Sequence, residues 1–130
     1  MTEGSILVVS EEVSFGRVLR ITLAAKGYKV TNTKSVGDAV KLSDSGKYDL
    51  VLLDSDASSA SAIEACREIR ACSDLAIIIV SGDKSEEEKA RAIRAGASAY
   101  IPKPFGATEI FTGVRENMRK VMVTVSSQPW

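Results

Sequence analysis

Short apolar runs alternate along this chain with segments of helical spacing. Ile6-Leu7-Val8-Val9 is the first run. A run that is apolar at every position suits a strand buried on both faces, as in a parallel sheet. The spacing of Phe15, Val18, Leu19 and Leu23 then predicts a helix that stops at Gly27. Tyr28 to Thr31 reads as a second strand. Ser35, with Asp38 three residues on, opens a helix carrying Val36, Ala39 and Val40 inward. Leu50-Val51-Leu52-Leu53 is the third strand. Ser61 and Glu64 form a capping box for a helix that buries Ala62, Ala65, Cys66 and Ile69. Ala76-Ile77-Ile78-Ile79-Val80 is the most apolar run and belongs in the interior of the sheet. Ser85 and Glu88 cap the next helix, which ends near Gly96. Ala99-Tyr100-Ile101 is a short fifth strand. A last helix runs from Gly106 to about Lys120 with Phe111, Val114, Met118 and Val121 facing in. Strict alternation of this kind predicts an α/β fold of (βα)5 order, a doubly wound parallel five-stranded sheet with helices on both faces.

Composition narrows the chemistry. A length of 130 residues suits one domain. Residues 121–130 leave the helical pattern and read as a tail or a truncated linker. Lys plus Arg and Asp plus Glu are equal at 17 each, so binding of nucleic acid by bulk charge is not expected. There is no histidine, which removes histidine-based triads, histidine general bases and most zinc sites. Cys66 and Cys72 are too few for a disulfide framework or a four-cysteine metal site. No apolar run reaches the length of a membrane span, and Met1 to Ser5 lacks the regions of a signal peptide. The expectation is a soluble, reduced, cytoplasmic domain.

In an open parallel sheet, ligands bind beyond the carboxyl ends of the strands. The polar residues just after each run are therefore the candidates. They are Ser10, Glu11 and Glu12 after the first strand, and Asp54, Ser55 and Asp56 after the third. Ser81, Gly82 and Asp83 follow the fourth, and Lys103 stands between two prolines after the fifth. Carboxylates suit a hard cation such as magnesium. A hydroxyl and an ammonium suit phosphoryl oxygens. Asp54 is itself a candidate nucleophile that would form an aspartyl phosphate.

Four strings carry a family resemblance: ILVVSEE at the first strand end, YDLVLLDSD around Asp54, IIIVSGD at Ser81 and GASAYIPKPF at Lys103. Over about residues 5–120 the chain resembles the receiver domain of two-component response regulators, the CheY-like family of flavodoxin-like topology. The resemblance implies a receiver over residues 1–120 in which Asp54 accepts phosphate from a sensor histidine kinase or a phosphotransfer protein. It puts Glu11 at the position of the direct magnesium ligand and Ser10 at the neighbouring outer acidic position. The backbone carbonyl of Asp56 would complete the metal site. Ser81 would bind a phosphoryl oxygen and move on activation, Lys103 would pair with the phosphoryl group, and Tyr100 stands at the position of the aromatic switch. A cis Lys103–Pro104 peptide bond and a trans Ile101–Pro102 bond are implied as well. Output would pass to a downstream effector protein or a fused output domain. The switching surface would be the helix–strand–helix edge from Lys84 to Lys120, which also admits a homodimer. Direct contact with nucleic acid or membrane is not expected.

The departures carry equal weight. The family's acidic pair is here Ser10-Glu11, so one charge is lost and the other sits one methylene further out. Magnesium, the expected cofactor, should then bind weakly, the missing charge costing on the order of 1–3 kcal/mol. The usual proline and glycine after the phosphoacceptor are replaced by Ser58 and Ala62. Each candidate also has a plainer reading. Ser10, Glu11 and Glu12 fit a helix cap with a favourable dipole. Asp54 fits a loop start, Asp56 a solvated carboxylate, and Ser81 a strand-end hydroxyl. Lys103 fits a solvated charge and Tyr100 simple packing. Two other functions compete: an atypical pseudo-receiver that binds partners without phosphorylation, and a phosphatase. The phosphatase reading rests on the apolar strand followed by Asp54-Ser55-Asp56, similar to the nucleophile motif of haloacid-dehalogenase-type phosphatases. That family places the motif on an N-terminal strand, so the chain is expected not to be an enzyme.

Overall fold

A computed structural model describes residues 4–55 and 59–126, without the side chains of residues 59–61 and 119–126. Five strands and five helices alternate: β1 (Ser5–Val9), α1 (Val13–Ala24), β2 (Lys29–Thr33), α2 (Val36–Ser43), β3 (Leu50–Asp54), α3 (Ser59–Cys72), β4 (Ala76–Ser81), α4 (Glu86–Arg94), β5 (Ala99–Pro102) and α5 (Ala107–Ser126). The strands form one parallel sheet in the order β2-β1-β3-β4-β5. The predicted (βα)5 order and doubly wound sheet are what is found.

Strand alternation divides the core in two. Ile6, Val8, Leu50, Leu52, Ile78 and Val80 face α1 and α5, where they meet Leu19, Leu23, Ile110 and Val114. Leu7, Val9, Val51, Leu53, Ile77 and Ile79 face α2, α3 and α4, where they meet Ala39, Ile63, Cys66, Ile69 and Ala92. β3 and β4 are buried on both sides, which is why their runs are continuously apolar. Edge strand β2 is only half-buried.

The helix starts follow local chemistry. Ser35 Oγ accepts from the Asp38 N–H at 3.2 Å, and Ser85 Oγ accepts from the Glu88 N–H at 3.1 Å. Both are the expected caps, each satisfying an otherwise orphaned donor. Other boundaries shift. β2 lies later than Tyr28–Thr31, and α3 begins at Ser59, so Ser61 is inside the helix rather than its cap. α5 continues past Lys120 to Ser126 through a β-branched stretch of weak helix propensity.

One inward assignment also changes. Val18 is 59% exposed, because the buried stripe of α1 is Leu19 and Leu23 with half-buried Phe15 beside them, four residues apart. In α5 the stripe is Ile110, Val114 and Met118, again four apart, and Phe111 is half-buried at its edge under the Lys26 ammonium. Among the described residues no helix is long and apolar enough to cross a membrane.

Candidate functional site

Strand order reverses between β1 and β3, and such a switch point opens a crevice beyond the strand ends. The parallel register decides what lines it. Val8 pairs with Leu52 and Val9 with Leu53, so one further step sets Ser10 beside Asp54. Asp54 pairs with Val80, and Ser81 pairs with Pro102, so Ser81 and Lys103 follow at the same rim.

Asp54 is the centre of the arrangement. Its side chain is 5% exposed and that of Lys103 is 15% exposed. Lys103 Nζ donates to Asp54 Oδ1 at 2.6 Å. The same ammonium lies 4.0 Å from the centroid of the Phe15 ring, which meets Phe105 edge-to-face at 6.1 Å. Carboxylate and aromatic face together compensate the desolvation of the lysine charge. The lysine backbone is held too, its N–H donating to the Ser81 carbonyl at 2.7 Å. The Lys103–Pro104 peptide bond is cis, as the family resemblance implies, and it is the cis bond found among the described residues.

Ser10 is 6% exposed, and its Oγ lies 2.8 Å from Asp54 Oδ2. It also lies 3.2 Å from both the carbonyl and the N–H of Glu12. A hydroxyl has one proton to give. The carboxylate is the nearer and the charged acceptor, so Ser10 donates to Asp54 and accepts from the Glu12 N–H. The Ser10 N–H is fixed in turn by the Thr33 carbonyl at 3.0 Å. Helix α1 has Glu12 as its N-cap without a side-chain cap bond, so Ser10 does not play the plain capping role.

The described residues do not fit magnesium in the manner the resemblance implies. Glu11 is exposed and has no hydrogen-bond or ion-pair partner among them. Both Asp54 oxygens already accept hydrogen bonds, one from an ammonium. No group of three or more metal-ligating side chains converges among the described residues. Asp56, with its carbonyl, lies outside the described residues, as does Ser58.

The switch candidates form a second cluster. Ser81 is 2% exposed, and its Oγ accepts from the Asp83 N–H at 3.1 Å. The Tyr100 hydroxyl donates to the Asp83 carbonyl at 2.6 Å. Burial raises the Tyr100 phenol above its ordinary value, the Ser81 hydrogen bond opposes this, and the Asp83 and Glu88 carboxylates add to it. The Asp83 carboxyl is held low by backbone and side-chain hydrogen bonds from Ser85. Tyr100 is therefore tied to the turn that follows Ser81. Sequence reasoning placed Phe15 only in the core and gave Asp83 no role beyond its place on the rim. The cation-facing ring has no one-dimensional signal, since Phe15 and Lys103 are far apart in the chain.

A family model of the response regulator receiver domain matches residues 6–115. Among solved structures, the chain is similar to NtrX from Brucella abortus in complex with ADP, with 26% identity and a TM-score of 0.82. That likeness covers 97% of this chain and 29% of NtrX, so the chain spans under a third of that relative's length. A CheY-like receiver domain protein from Methanospirillum hungatei shares the fold at 22% identity and a TM-score of 0.81, over 89% of this chain and 94% of that one. The BeF3-activated N-terminal receiver domain of Klebsiella pneumoniae RstA does so at 23% identity and a TM-score of 0.81, over 88% and 98%. Asp54 thus ends the third strand of a receiver sheet, where the phosphatase motif would need an N-terminal strand. With the family match running through all five strands, the chain belongs to the response regulator receiver domain family.

Proposed function

We propose that Asp54 accepts a phosphoryl group from the phosphohistidine of a sensor histidine kinase or phosphotransfer protein, and that this switches the helix–strand–helix edge from Lys84 to Lys120. The observation that carries the reading is the buried Asp54–Lys103 pair at 2.6 Å on the switch-point rim. In the step, an Asp54 oxygen attacks phosphorus. The O–P bond forms as the P–N bond breaks, and the leaving imidazole nitrogen keeps the electron pair and takes a proton from solvent. Lys103 stays protonated and exchanges its carboxylate partner for phosphoryl oxygens. Ser81 supplies a hydroxyl to the same oxygens, which draws it from Tyr100 and the Asp83 turn.

The reading keeps magnesium binding weak, since Glu11 is exposed and both Asp54 oxygens already accept hydrogen bonds from this chain. Helix α1 borders the rim and exposes Val13, Val18 and Ile21, which supports docking of the phosphodonor there. The Lys84–Lys120 edge, with Ile93 exposed on α4, is assigned to the effector, to a fused output domain or to a second copy. A cytoplasmic location, where such donors work, belongs to the same proposal, as does the absence of enzymatic turnover.

The test is intact mass after incubation with acetyl phosphate and magnesium. The expected result is a gain of one phosphoryl group that Asp54→Asn abolishes. Failure of the unmodified chain to gain mass, under conditions that label another receiver, overturns it in favour of a phosphorylation-independent pseudo-receiver. The Ser10–Asp54 hydrogen bond is the observation on that side. Release of phosphate from a generic phosphoester would instead point to a phosphatase.

A further inference from the structure

We propose that the Ser10 hydroxyl competes with divalent cations for Asp54 Oδ2, so that Ser10 holds the acceptor carboxylate in a metal-free resting state. The inference rests on the reading of Asp54 as phosphoacceptor. The resemblance would put an acidic side chain at this position, helping to attract a cation. Here a proton donor occupies it, and the donor points at the carboxylate from 2.8 Å.

Three features make Ser10 more than a missing charge. It is 6% exposed, so its hydroxyl is largely shielded from competing solvent. Its backbone is anchored to Thr33 at 3.0 Å, and its oxygen accepts from the Glu12 N–H at 3.2 Å, which together orient the proton toward Asp54. Lys103 satisfies the other carboxylate oxygen, so both oxygens of the acceptor are engaged by donors of this chain. The carboxylate is thus held between two donors, Ser10 on Oδ2 and Lys103 on Oδ1. A cation approaching Oδ2 must break the first link before it gains the carboxylate. Hydrogen bonds to charged groups are among the stronger ones in proteins, so the link is a real competitor.

This differs in sign from a simple loss of charge, and Ser10→Ala separates the two. Alanine has no more charge than serine, so a charge deficit alone predicts unchanged cation affinity. A serine oxygen that helped to hold the ion would make the variant weaker. Competition predicts that Ser10→Ala binds tighter, by about three- to tenfold, the equivalent of a modest hydrogen bond. Ser10→Thr, which keeps the hydroxyl, should stay near the unmodified chain. Ser10→Cys, with a weak donor of similar size, should bind tighter than serine and carries the test if the alanine variant does not fold. In an Asp54→Asn background the Ser10→Ala gain should vanish.

The measurement is addition of magnesium chloride at constant ionic strength, followed by the amide NMR shifts of Asp54 and Ser55. An affinity for Ser10→Ala equal to or below that of the unmodified chain overturns the proposal, and so does a Ser10→Thr variant as tight as the alanine. Acetyl phosphate labelling of the same proteins keeps the two readings apart. The expected affinity order without any labelling of Asp54 would remove the phosphoacceptor reading and leave the competition standing. Labelling of Asp54 without that order would do the reverse.

Discussion

At the scale of single residues, Ser55 and Tyr100 put opposite demands on burial. Ser55 is 5% exposed, and its hydroxyl has no hydrogen-bond partner among the described residues. An unpaired buried hydroxyl forfeits its hydration without return, so Ser55→Ala should stabilise the fold by about 1 kcal/mol. A urea midpoint that rises at constant slope would bear this out. Tyr100 is half-buried and its hydroxyl is used, donating to Asp83 at 2.6 Å. Its phenol is raised above 10.0, chiefly by burial. The folded state thus favours the neutral form, and the stability this contributes is complete below the ordinary value. It is lost as pH climbs through the higher folded value. Tyr100→Phe should therefore be the less stable protein at neutral pH, by about 1 kcal/mol for the lost hydrogen bond. Its deficit should shrink at strongly alkaline pH, where only the tyrosine protein carries a disfavoured phenolate. Paired urea midpoints at the two pH values check the sign.

Elements are joined here by backbone as much as by packing. The turn after α4 places Gly96 at φ +116°, a conformation that side chains rarely adopt. A Cβ there would sit 2.9 Å from Arg70 Cγ and 3.0 Å from Arg70 Cβ. Arg70 cannot swing aside freely. Its guanidinium donates to Gly96 O at 3.1 and 2.8 Å, to Leu75 O at 2.8 Å and to Ser73 O at 3.1 Å. One side chain of α3 thereby holds the start of β4 and the end of α4. Gly96→Ala should cost about 1–3 kcal/mol from backbone strain alone, read by circular dichroism in urea. An unchanged midpoint would mean that the turn relaxes without disturbing Arg70.

For the whole molecule, the contacts predict where a change at Asp54 travels. Lys103 N bonds Ser81 O, and Tyr100 bonds the Asp83 turn, so the ends of β4 and β5 and the start of α4 form one connected unit. The β2–α2 side reaches the site only through Thr33 O and Ser10 N among the backbone bonds around Ser10. Phosphorylated protein should therefore change its amide exchange mainly over residues 81–103. Residues 29–43 should change little. Exchange mass spectrometry on labelled and unlabelled chains checks this, and a change spread evenly over both flanks would count against the connected unit. The prediction requires two states that the phosphoryl group distinguishes; in the proposed reading they differ in the partners of Lys103 and Ser81.

What was determined by sequence alone is whatever depends on neighbours along the chain. Continuous apolar runs mark β3 and β4 because both of their faces are buried, and Ser35 and Ser85 mark helix starts because a cap bonds within three residues. That Ser10, Asp54, Ser81 and Lys103 stand at one rim was legible for the same reason, as polar residues directly after such runs. The exposed face of Val18 and the extent of α5 were harder to read, since weakly amphipathic spacing admits more than one stripe and β-branched residues carry little helix signal. Only the tertiary structure decided who touches whom at the site. Ser10 and Asp54 are 44 residues apart, and Lys103 and Asp54 are 49 apart, so neither hydrogen bond has a local pattern. Parallel register brings them side by side, and that register is chosen by packing of the two sheet faces against five helices. The string of residues identified Ser10 as a lost charge; its place in the sheet makes it a hydrogen-bond donor to the very carboxylate the missing charge would have served.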